Sequence, residues 1–208
     1  MSVSRRSRRA GGTRRTAVLE SAAEVLSERG YESTRYTDVS TTSGVAVSTL
    51  QNYFGSREDM LIETMRHATD VELLALDAVA SAEVDPWNRL VTLIDRNLNT
   101  PIHKHQLLIE FWRTGMRDAE LRDYGQEIWA RYRAPFLETV VEGCDEGVFT
   151  PTLSPEDVVD LLLPLLVGAM VPRVLQFPAP TADRFRTALL RQVSQMLGRS
   201  GYRHKSSV

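Results

Sequence analysis

The chain of 208 residues contains one cysteine, Cys144, so it cannot form an intrachain disulfide bond. A lone thiol is typical of proteins in a reducing compartment, and we expect a cytoplasmic location. Long hydrophobic runs are also lacking, since the longest apolar stretch, residues 158–171, is interrupted by Asp160 and Pro164. Because a membrane-spanning helix needs about 18 or more apolar residues, we expect no membrane span. The N-terminal arginines are not followed by an apolar segment, which argues against a secretory signal.

Sequence motifs of enzymes and of metal sites are missing as well. The chain has no Gly-x-Ser-x-Gly elbow, no P-loop and no dinucleotide-binding glycine pattern, and nothing marks out a catalytic pair among its carboxylates. His103 and His105 are two positions apart, which separates their side chains by about 200° on a helix and keeps them from binding one metal ion. We therefore expect no enzymatic activity, no metal and no cofactor.

Positive charge is concentrated at the N-terminal end of the chain. Residues 1–57 contain nine arginines and five acidic residues, a net charge of +4, whereas residues 58–208 contain 16 basic and 22 acidic residues, a net charge of −6. This asymmetry indicates that only the N-terminal part meets a polyanion. We interpret residues 1–12 as a flexible basic arm that contacts nucleic acid, the alternative being a solvated tail without that role. The densest cluster comprises Arg5, Arg6, Arg8, Arg9, Arg14 and Arg15.

Helical periodicity runs through the chain and strand patterns are weak, which predicts an all-α fold of about nine helices. A first helix over 13–29 places Leu19, Ala22, Ala23 and Leu26 on one face and ends at Gly30. Two short helices follow around residues 36–43 and 45–53, joined at Gly44. Later helix starts are predicted at Ser56, Asp85, Asp118 and Ser154, and a last helix over 181–197. Pro164 should kink the helix that contains it, and residues 199–208 should form a loose tail.

Two short helices joined at a glycine, behind a longer supporting helix, are typical of a helix-turn-helix. Val39, Val45, Leu50 and Phe54 supply the apolar side that locks the second short helix to the first. Its opposite side is free to enter a major groove of DNA, although helix pairs of this size also serve only as packing units. We predict a three-helix DNA-binding domain over residues 13–57 and a larger helical bundle over residues 58–198 for ligand binding and dimerisation.

Residues 30–61 resemble the DNA-binding signature of TetR-type transcriptional regulators. The matching residues are Gly30, Tyr31, Thr34, Asp38, Val39, Gly44, Val45, Thr49, Leu50, Tyr53, Phe54, Ser56, Arg57, Glu58 and Leu61. The resemblance implies a homodimeric repressor whose two recognition helices read a palindromic operator in double-stranded DNA. The expected DNA-contacting residues are Arg5, Arg6, Arg8, Arg9, Thr34, Val47, Ser48, Thr49, Gln51, Asn52, Tyr53 and Arg57.

Several of these residues also have structural interpretations. Thr34, Ser48 and Thr49 are suited to capping helices, Tyr53 to packing, and Asp38 to binding helix amides or an arginine. The chain departs from the family pattern at two positions, with Val47 where a lysine is common and Gln51 where an aromatic residue is common. Val47 is suited to a thymine methyl and Gln51 to paired hydrogen bonds with adenine. We expect the arginines of the arm to compensate for the DNA-backbone contacts that these two residues do not make.

The stretch from Glu110 to Arg133 resembles the BetI-like subgroup of the family's C-terminal portion, which implies an effector site. Large polarizable side chains concentrate there, and we predict a pocket for an apolar or cationic small molecule, the alternative being an ordinary core filling. The predicted pocket residues are Leu108, Phe111, Trp112, Met116, Tyr124, Trp129, Tyr132 and Phe136. The helix that opens at Ser56 connects this pocket to the DNA-binding module and is the predicted lever for regulation.

The two most apolar late helices exceed what one small bundle must bury, so we predict that they form a four-helix dimer interface. The alternative is a monomeric core. The predicted interface residues are Leu161, Leu165, Gly168, Ala169, Phe185, Leu189 and Val193. The function expected is therefore a ligand-responsive repressor released from its operator by a small-molecule effector. The competing hypotheses are a helical-bundle enzyme acting on a hydrophobic substrate and an architectural DNA-binding protein without an effector.

Overall fold

The computed structural model describes the backbone of residues 3–178 and 181–199, with side chains from Gly12 onward. This part of the chain forms nine α-helices and no β-strand, which confirms the predicted all-α class. The helices are α1 (Val3–Arg29), α2 (Tyr36–Ser43), α3 (Val47–Phe54), α4 (Arg57–Ala82), α5 (Pro86–Leu98), α6 (Ile102–Gly115), α7 (Ala119–Asp145), α8 (Pro155–Val174) and α9 (Ala182–Met196). Within the described ranges, no helix combines the length and the apolarity that a bilayer crossing requires.

The first helix begins ten residues earlier than the sequence pattern predicts. Helix α1 starts at Val3 rather than Thr13, and the Gly11-Gly12 pair lies inside it. Arginine and alanine are good helix formers, so the basic segment can continue the helix that the apolar face of residues 18–26 stabilises. The arm side chains of Arg5, Arg6, Arg8 and Arg9 lie outside the described residues, as do residues 200–208 of the predicted tail.

Four of the predicted helix starts are confirmed by one type of contact. In each, a side-chain oxygen accepts a hydrogen bond from the backbone N–H three residues further on, which satisfies a donor that the helix leaves unpaired. These bonds measure 2.8–3.1 Å and are accepted by Ser56, Asp85, Asp118 and Ser154. Pro164 lies inside its helix as predicted, since α8 continues beyond it and beyond Pro172. The kink expected at Pro164 stays a prediction.

The described residues divide into two compact units that do not follow the predicted boundary after residue 57. Unit 1 comprises the described residues of Met1–Glu72 and Pro101–Glu127, and unit 2 comprises those of Leu73–Thr100 and Ile128–Val208. Helix α6 and the start of α7 therefore belong with the helix-turn-helix rather than with the larger bundle. The reason is packing, because α1 lies against α6 as well as against α2.

The core of unit 1 is built on the predicted face of α1. Leu19, Ala22 and Leu26 are at most 5% exposed, whereas Ala23 is half-buried. The other buried apolar residues of this unit come from every helix it contains. They include Val39 of α2, Leu50 and Phe54 of α3, Met60, Leu61 and Met65 of α4, Leu107 and Phe111 of α6, and Leu121 of α7.

The core of unit 2 combines one face each of α5, α7, α8 and α9. Its central residues include Leu90, Leu93 and Ile94 of α5, Phe136 and Val140 of α7, Val159, Leu162 and Leu166 of α8, Leu190 of α9, and Leu197 directly after α9. Leu189 and Val193 of α9 belong to the same cluster and are at most 4% exposed. Their prediction as dimer-interface residues is wrong, because they already pack inside their own chain.

Candidate nucleic-acid interface

The turn between α2 and α3 depends on a glycine in a left-handed conformation. Gly44 has φ 68° and ψ 14°, and its N–H donates to the carbonyl oxygen of Ser40 at 3.0 Å. A Cβ atom added at this position would meet no other atom within 4 Å. The backbone conformation, and not a lack of space, therefore requires glycine at the turn.

Helix α3 is anchored by one face and presents the other to solvent. Leu50 is fully buried and Phe54 is 6% exposed. At 100° per residue, Ser48 and Asn52 point about 160° away from Leu50, and both are exposed. Gln51, about 100° away from Leu50, is exposed as well. The outward face of α3 thus carries a hydroxyl and two carboxamides, all of which can donate and accept hydrogen bonds.

The remaining predicted residues of α3 flank this face. Val47, Thr49 and Tyr53 are half-buried, and the Tyr53 ring meets Phe54 edge to face at a centroid distance of 6.1 Å. The N-cap of α3 is Ala46, and no side chain caps the helix. The alternative interpretation of Ser48 and Thr49 as capping residues is therefore wrong, since both lie inside the helix.

Thr34 cannot contact phosphate from its position in the fold. Its side chain is fully buried, and its hydroxyl donates to the carbonyl oxygen of Gly30 at 2.8 Å. Arg35, not Thr34, is the N-cap of α2, so the capping interpretation is wrong too. Thr34 instead closes the turn between α1 and α2.

Arg57 is also corrected from a DNA-contacting residue to one that holds the same turn. Its Nε donates to the carbonyl oxygen of Thr34 at 2.6 Å, and its Nη2 donates to that of Tyr31. The guanidinium lies 5.2 Å from the centre of the Tyr31 ring and pairs with Glu58 at 3.0 Å. The backbone N–H of Glu58 and the Arg57 guanidinium lower the pKa of the Glu58 carboxyl. With 17% of its side chain exposed, Arg57 donates to a protein acceptor from each of its three guanidinium nitrogens.

Two ion pairs complete the framework behind α3. Arg15 of α1 pairs with Glu63 of α4 at 2.6 Å and lies 5.0 Å from the centre of the Phe54 ring. Arg15 was predicted as part of the basic cluster, although its spacing of three and four residues from Val18 and Leu19 marks it as part of the inward face. Asp38 accepts a hydrogen bond from the N–H of Arg35 at 2.8 Å and pairs with Arg29 at 3.1 Å, as predicted.

The predicted effector-site residues are divided between the two units. In unit 1, Phe111 and Tyr124 meet edge to face at 6.2 Å, and Leu108 is half-buried nearby in sequence on α6. Trp112 and Met116 are 37% and 71% exposed, so they do not line an enclosed cavity within their unit. The assignment of these two residues to the effector pocket stays a prediction.

In unit 2, three aromatic residues of α7 form a row. The ring centroids of Trp129 and Tyr132 are 6.0 Å apart, and those of Tyr132 and Phe136 are 5.6 Å apart. Asn97 of α5 donates to the Tyr132 hydroxyl, and burial raises the pKa of Tyr132 well above its usual range. Trp129 is 42% exposed at the outer end of the row, whereas Phe136 is fully buried.

The predicted interface residues of α8 are uncovered in the single chain. Leu161 and Leu165 are 52% and 44% exposed, and a Cβ atom at Gly168 would meet no atom within 4 Å. Ala169 and Phe185 are half-buried. Among the side chains that the structure describes, no group of three or more His, Cys, Asp or Glu residues is placed to hold a metal ion.

Two protein-family models match different parts of the chain. The model of the BetI-type transcriptional repressor C-terminal region matches residues 86–198, more than half of the chain, and that of bacterial regulatory proteins of the tetR family matches residues 18–64. A curated relative, the HTH-type transcriptional repressor KstR2 of Mycobacterium tuberculosis, is 25% identical over 143 residues, which cover 68% of this chain and 72% of the relative.

Solved structures share the fold. A putative transcriptional regulator from Saccharomonospora viridis in complex with choline superposes with a TM-score of 0.78 at 22% identity, covering 87% of this chain and 95% of that one. The regulator FadR from Bacillus subtilis in complex with stearoyl-CoA superposes with a TM-score of 0.69 at 18% identity, covering 89% of this chain and 98% of that one. At 22% and 18% identity, the likeness to these two structures shows a shared fold alone.

Proposed function

The chain belongs to the TetR family of transcriptional regulators, and from that premise we propose that it acts in the cytoplasm as a dimer that represses transcription from a palindromic operator until a small-molecule effector releases it. The outward face of α3 carries this proposal. Ser48, Gln51 and Asn52 are exposed together on a helix that Leu50 anchors to the core. Carboxamides form paired hydrogen bonds with the major-groove edge of adenine, so this face is suited to reading bases.

The experiment that tests the proposal is selection of bound duplexes from fragmented DNA of the source genome, including DNA that flanks the protein's own coding region. A repressor is expected to enrich a palindromic sequence and to hold it in the presence of excess non-specific competitor. Binding without sequence preference would favour the architectural alternative. The enzyme hypothesis is set aside, because the family and the similar curated proteins are transcriptional regulators.

Replacing Gln51 or Asn52 with alanine is expected to relax base preference without unfolding the protein. Each missing pair of hydrogen bonds should remove about 1–3 kcal/mol of discrimination at one base position of each half-site. The measurement is the base preference of each variant, obtained by selection from a pool randomised around the operator. Gln126→Ala, which truncates an exposed glutamine on α7, serves as the matched control. Unchanged preference in both α3 variants would remove these residues from the readout.

The basic arm is proposed to bind phosphates or the minor groove in addition. Val47 offers no charge to the DNA backbone, so four arginines at positions 5, 6, 8 and 9 would supply the charge that α3 lacks. Changing these four arginines to glutamine should reduce the slope of log affinity against log salt concentration by about 0.9 for each phosphate that the protein no longer neutralises. Operator titrations at several salt concentrations measure this slope. An unchanged affinity with an unchanged slope would contradict the role of the arm.

Dimerisation is proposed to use the uncovered face of α8. Leu161, Leu165 and Gly168 follow one another at helical spacing, and Val171 and Leu175 extend the same stripe at 39% and 52% exposure. An apolar stripe of this kind on a soluble chain is suited to a second copy, since a two-fold interface pairs each residue with the same surface of the partner. Gly168 and Ala169 have little or no side chain, so partner helices can approach closely there.

The effector is proposed to be an apolar or cationic small molecule held against aromatic side chains. Trp129, at the outer end of the row, is open to solvent and offers a ring face of the kind that binds cations or apolar chains, with Tyr132 next to it. Proteins of this fold include one in complex with choline and one in complex with stearoyl-CoA, which makes these two compounds the first probes. An effector must stabilise the protein and weaken operator binding, because it can shift the equilibrium only through different affinities for the two states.

A further inference from the structure

The turn between α1 and α2 is held by a residue from outside the helix-turn-helix. Oε2 of Glu110 on α6 accepts a hydrogen bond from the backbone N–H of Tyr31 at 2.9 Å. The same oxygen accepts hydrogen bonds from Nη2 and Nε of Arg113 at 3.0 and 3.3 Å. The Glu110 side chain is 20% exposed, so these bonds are partly shielded from water. An ionised acceptor makes them stronger than bonds between neutral groups.

The same turn is held from its other side by α4. Arg57 donates to the carbonyl oxygen of Tyr31, so α6 holds the N–H of this residue and α4 holds its C=O. We call this arrangement of Glu110, Arg113 and Arg57 around the backbone of Tyr31 the Tyr31 clamp. Gly30 precedes it with φ 74°, and its carbonyl oxygen accepts a hydrogen bond from the Thr34 hydroxyl.

The position of the clamp in the chain gives it a specific consequence. The clamped turn leads into α2 within five residues, and α2 leads through Gly44 into the outward-facing α3. Helix α6 belongs by sequence to the C-terminal region, yet it packs in unit 1 against α1. A displacement of α6 would therefore pull on the backbone that orients α2 and α3, in addition to any movement transmitted along α4.

We propose that Glu110 is a positioning residue that couples α6 to the recognition helix, because its hydrogen bond with the N–H of Tyr31 favours the orientation of α3 that meets the operator. This inference rests on the proposed function of α3 as the reader of an operator. Removing the carboxylate leaves the N–H of Tyr31 without its acceptor, and a partly buried donor without an acceptor disfavours the conformation that contains it. A glutamine keeps an oxygen acceptor but lacks the charge that pairs with Arg113.

The test compares the full-length wild type with Glu110→Ala, Glu110→Gln and the control Glu127→Ala, which truncates an exposed glutamate on α7. Dissociation constants are measured for the operator selected by the wild type and for a scrambled duplex, and hydrogen exchange is followed in residues 30–35. Glu110→Ala should weaken operator binding about tenfold, or about 1.4 kcal/mol. It should leave scrambled-duplex binding within about twofold and accelerate exchange in the turn. Glu110→Gln should lose less operator affinity than Glu110→Ala, and Glu127→Ala should bind the operator as tightly as the wild type.

Three results would overturn the coupling. The first is a Glu110→Ala variant that keeps both the operator affinity of the wild type and its rate of hydrogen exchange in the turn. The second is an equal loss of affinity for both duplexes, or faster exchange throughout unit 1, since either result indicates a general loss of stability. The third is a wild type that selects no duplex, which overturns the proposed function and the coupling together, whereas the first two leave the proposed function standing. If Glu110→Ala does not fold, Glu110→Met takes its place, because methionine is closer to glutamate in size and removes both carboxylate oxygens; an operator affinity of Glu110→Met equal to that of the wild type overturns the coupling.

Discussion

Replacing Gly44 with valine is expected to abolish operator binding while unit 2 stays folded. Gly44 has φ 68° and ψ 14°, a left-handed conformation that costs a β-branched residue about 2 kcal/mol or more. The strain is relieved by rotating the turn, which moves α3 away from the core that Leu50 anchors it to. A dimer carries the change twice, so a cost of about 4 kcal/mol and a loss of about a thousandfold in affinity are expected. Fluorescence anisotropy with labelled operator measures the affinity, and thermal unfolding followed by circular dichroism measures the folded state.

The matched control for this change is Gly44→Asn. Asparagine adopts left-handed conformations more readily than other residues with a Cβ atom, so its operator affinity should stay within a few-fold of the wild type. Because no protein atom lies within 4 Å of the added Cβ, a loss with asparagine as large as the loss with valine would mean that the DNA itself occupies this space. Wild-type binding by Gly44→Val would contradict the dependence of α3 on the turn.

Replacing Leu165 with aspartate is expected to convert the dimer into monomers and to remove high-affinity operator binding. Leu165 lies in the apolar stripe of α8 and is 44% exposed in the single chain. At a two-fold interface the change would bury an unpaired carboxylate from each copy, at a cost of about 3 kcal/mol or more per copy. Dissociation of the dimer should therefore become more than about a thousandfold easier. Sedimentation velocity at micromolar concentration reports the oligomeric state, and operator titration reports the affinity.

Leu153→Asp is the control, because Leu153 has a similar exposure of 42% but lies before the start of α8. This variant should remain dimeric and bind the operator as the wild type does. A dimeric Leu165→Asp would place the interface on another surface of the chain. A wild type that sediments as a monomer at micromolar concentration would contradict the proposed dimer itself.

The local elements of this protein follow from the sequence because their hydrogen bonds join residues that are three or four positions apart. Ser56, Asp85, Asp118 and Ser154 cap the helices that the pattern predicts, at 2.8–3.1 Å. The left-handed turn at Gly44 and the outward position of Gln51 and Asn52 also follow from local spacing, since a helix of known start and one buried residue orients all the others.

The errors arose where a residue's partner lies far away in the chain. Thr34 and Arg57 occupy positions that the family resemblance assigns to DNA contact. In the structure, Nε of Arg57 donates to the carbonyl oxygen of Thr34, 23 positions away, and both residues hold the turn between α1 and α2. The periodicity of Leu189 and Val193 indicates that the apolar face of α9 must be covered. It does not indicate by what, and in the structure the cover comes from the same chain and not from a second copy.

The amino-acid order by itself determined the all-α class, most helix boundaries, the turn at Gly44 and the outward face of α3, since helix propensity, capping and side-chain periodicity act within a few residues. Only the tertiary structure decided that α6 packs with the helix-turn-helix, that Glu110 holds Tyr31, and that Leu189 and Val193 of α9 are covered within their own chain. The physical reason is that the hydrophobic effect has no preferred direction. A periodic pattern therefore predicts which helix face is buried, but only the packing of all helices together determines which residues cover that face.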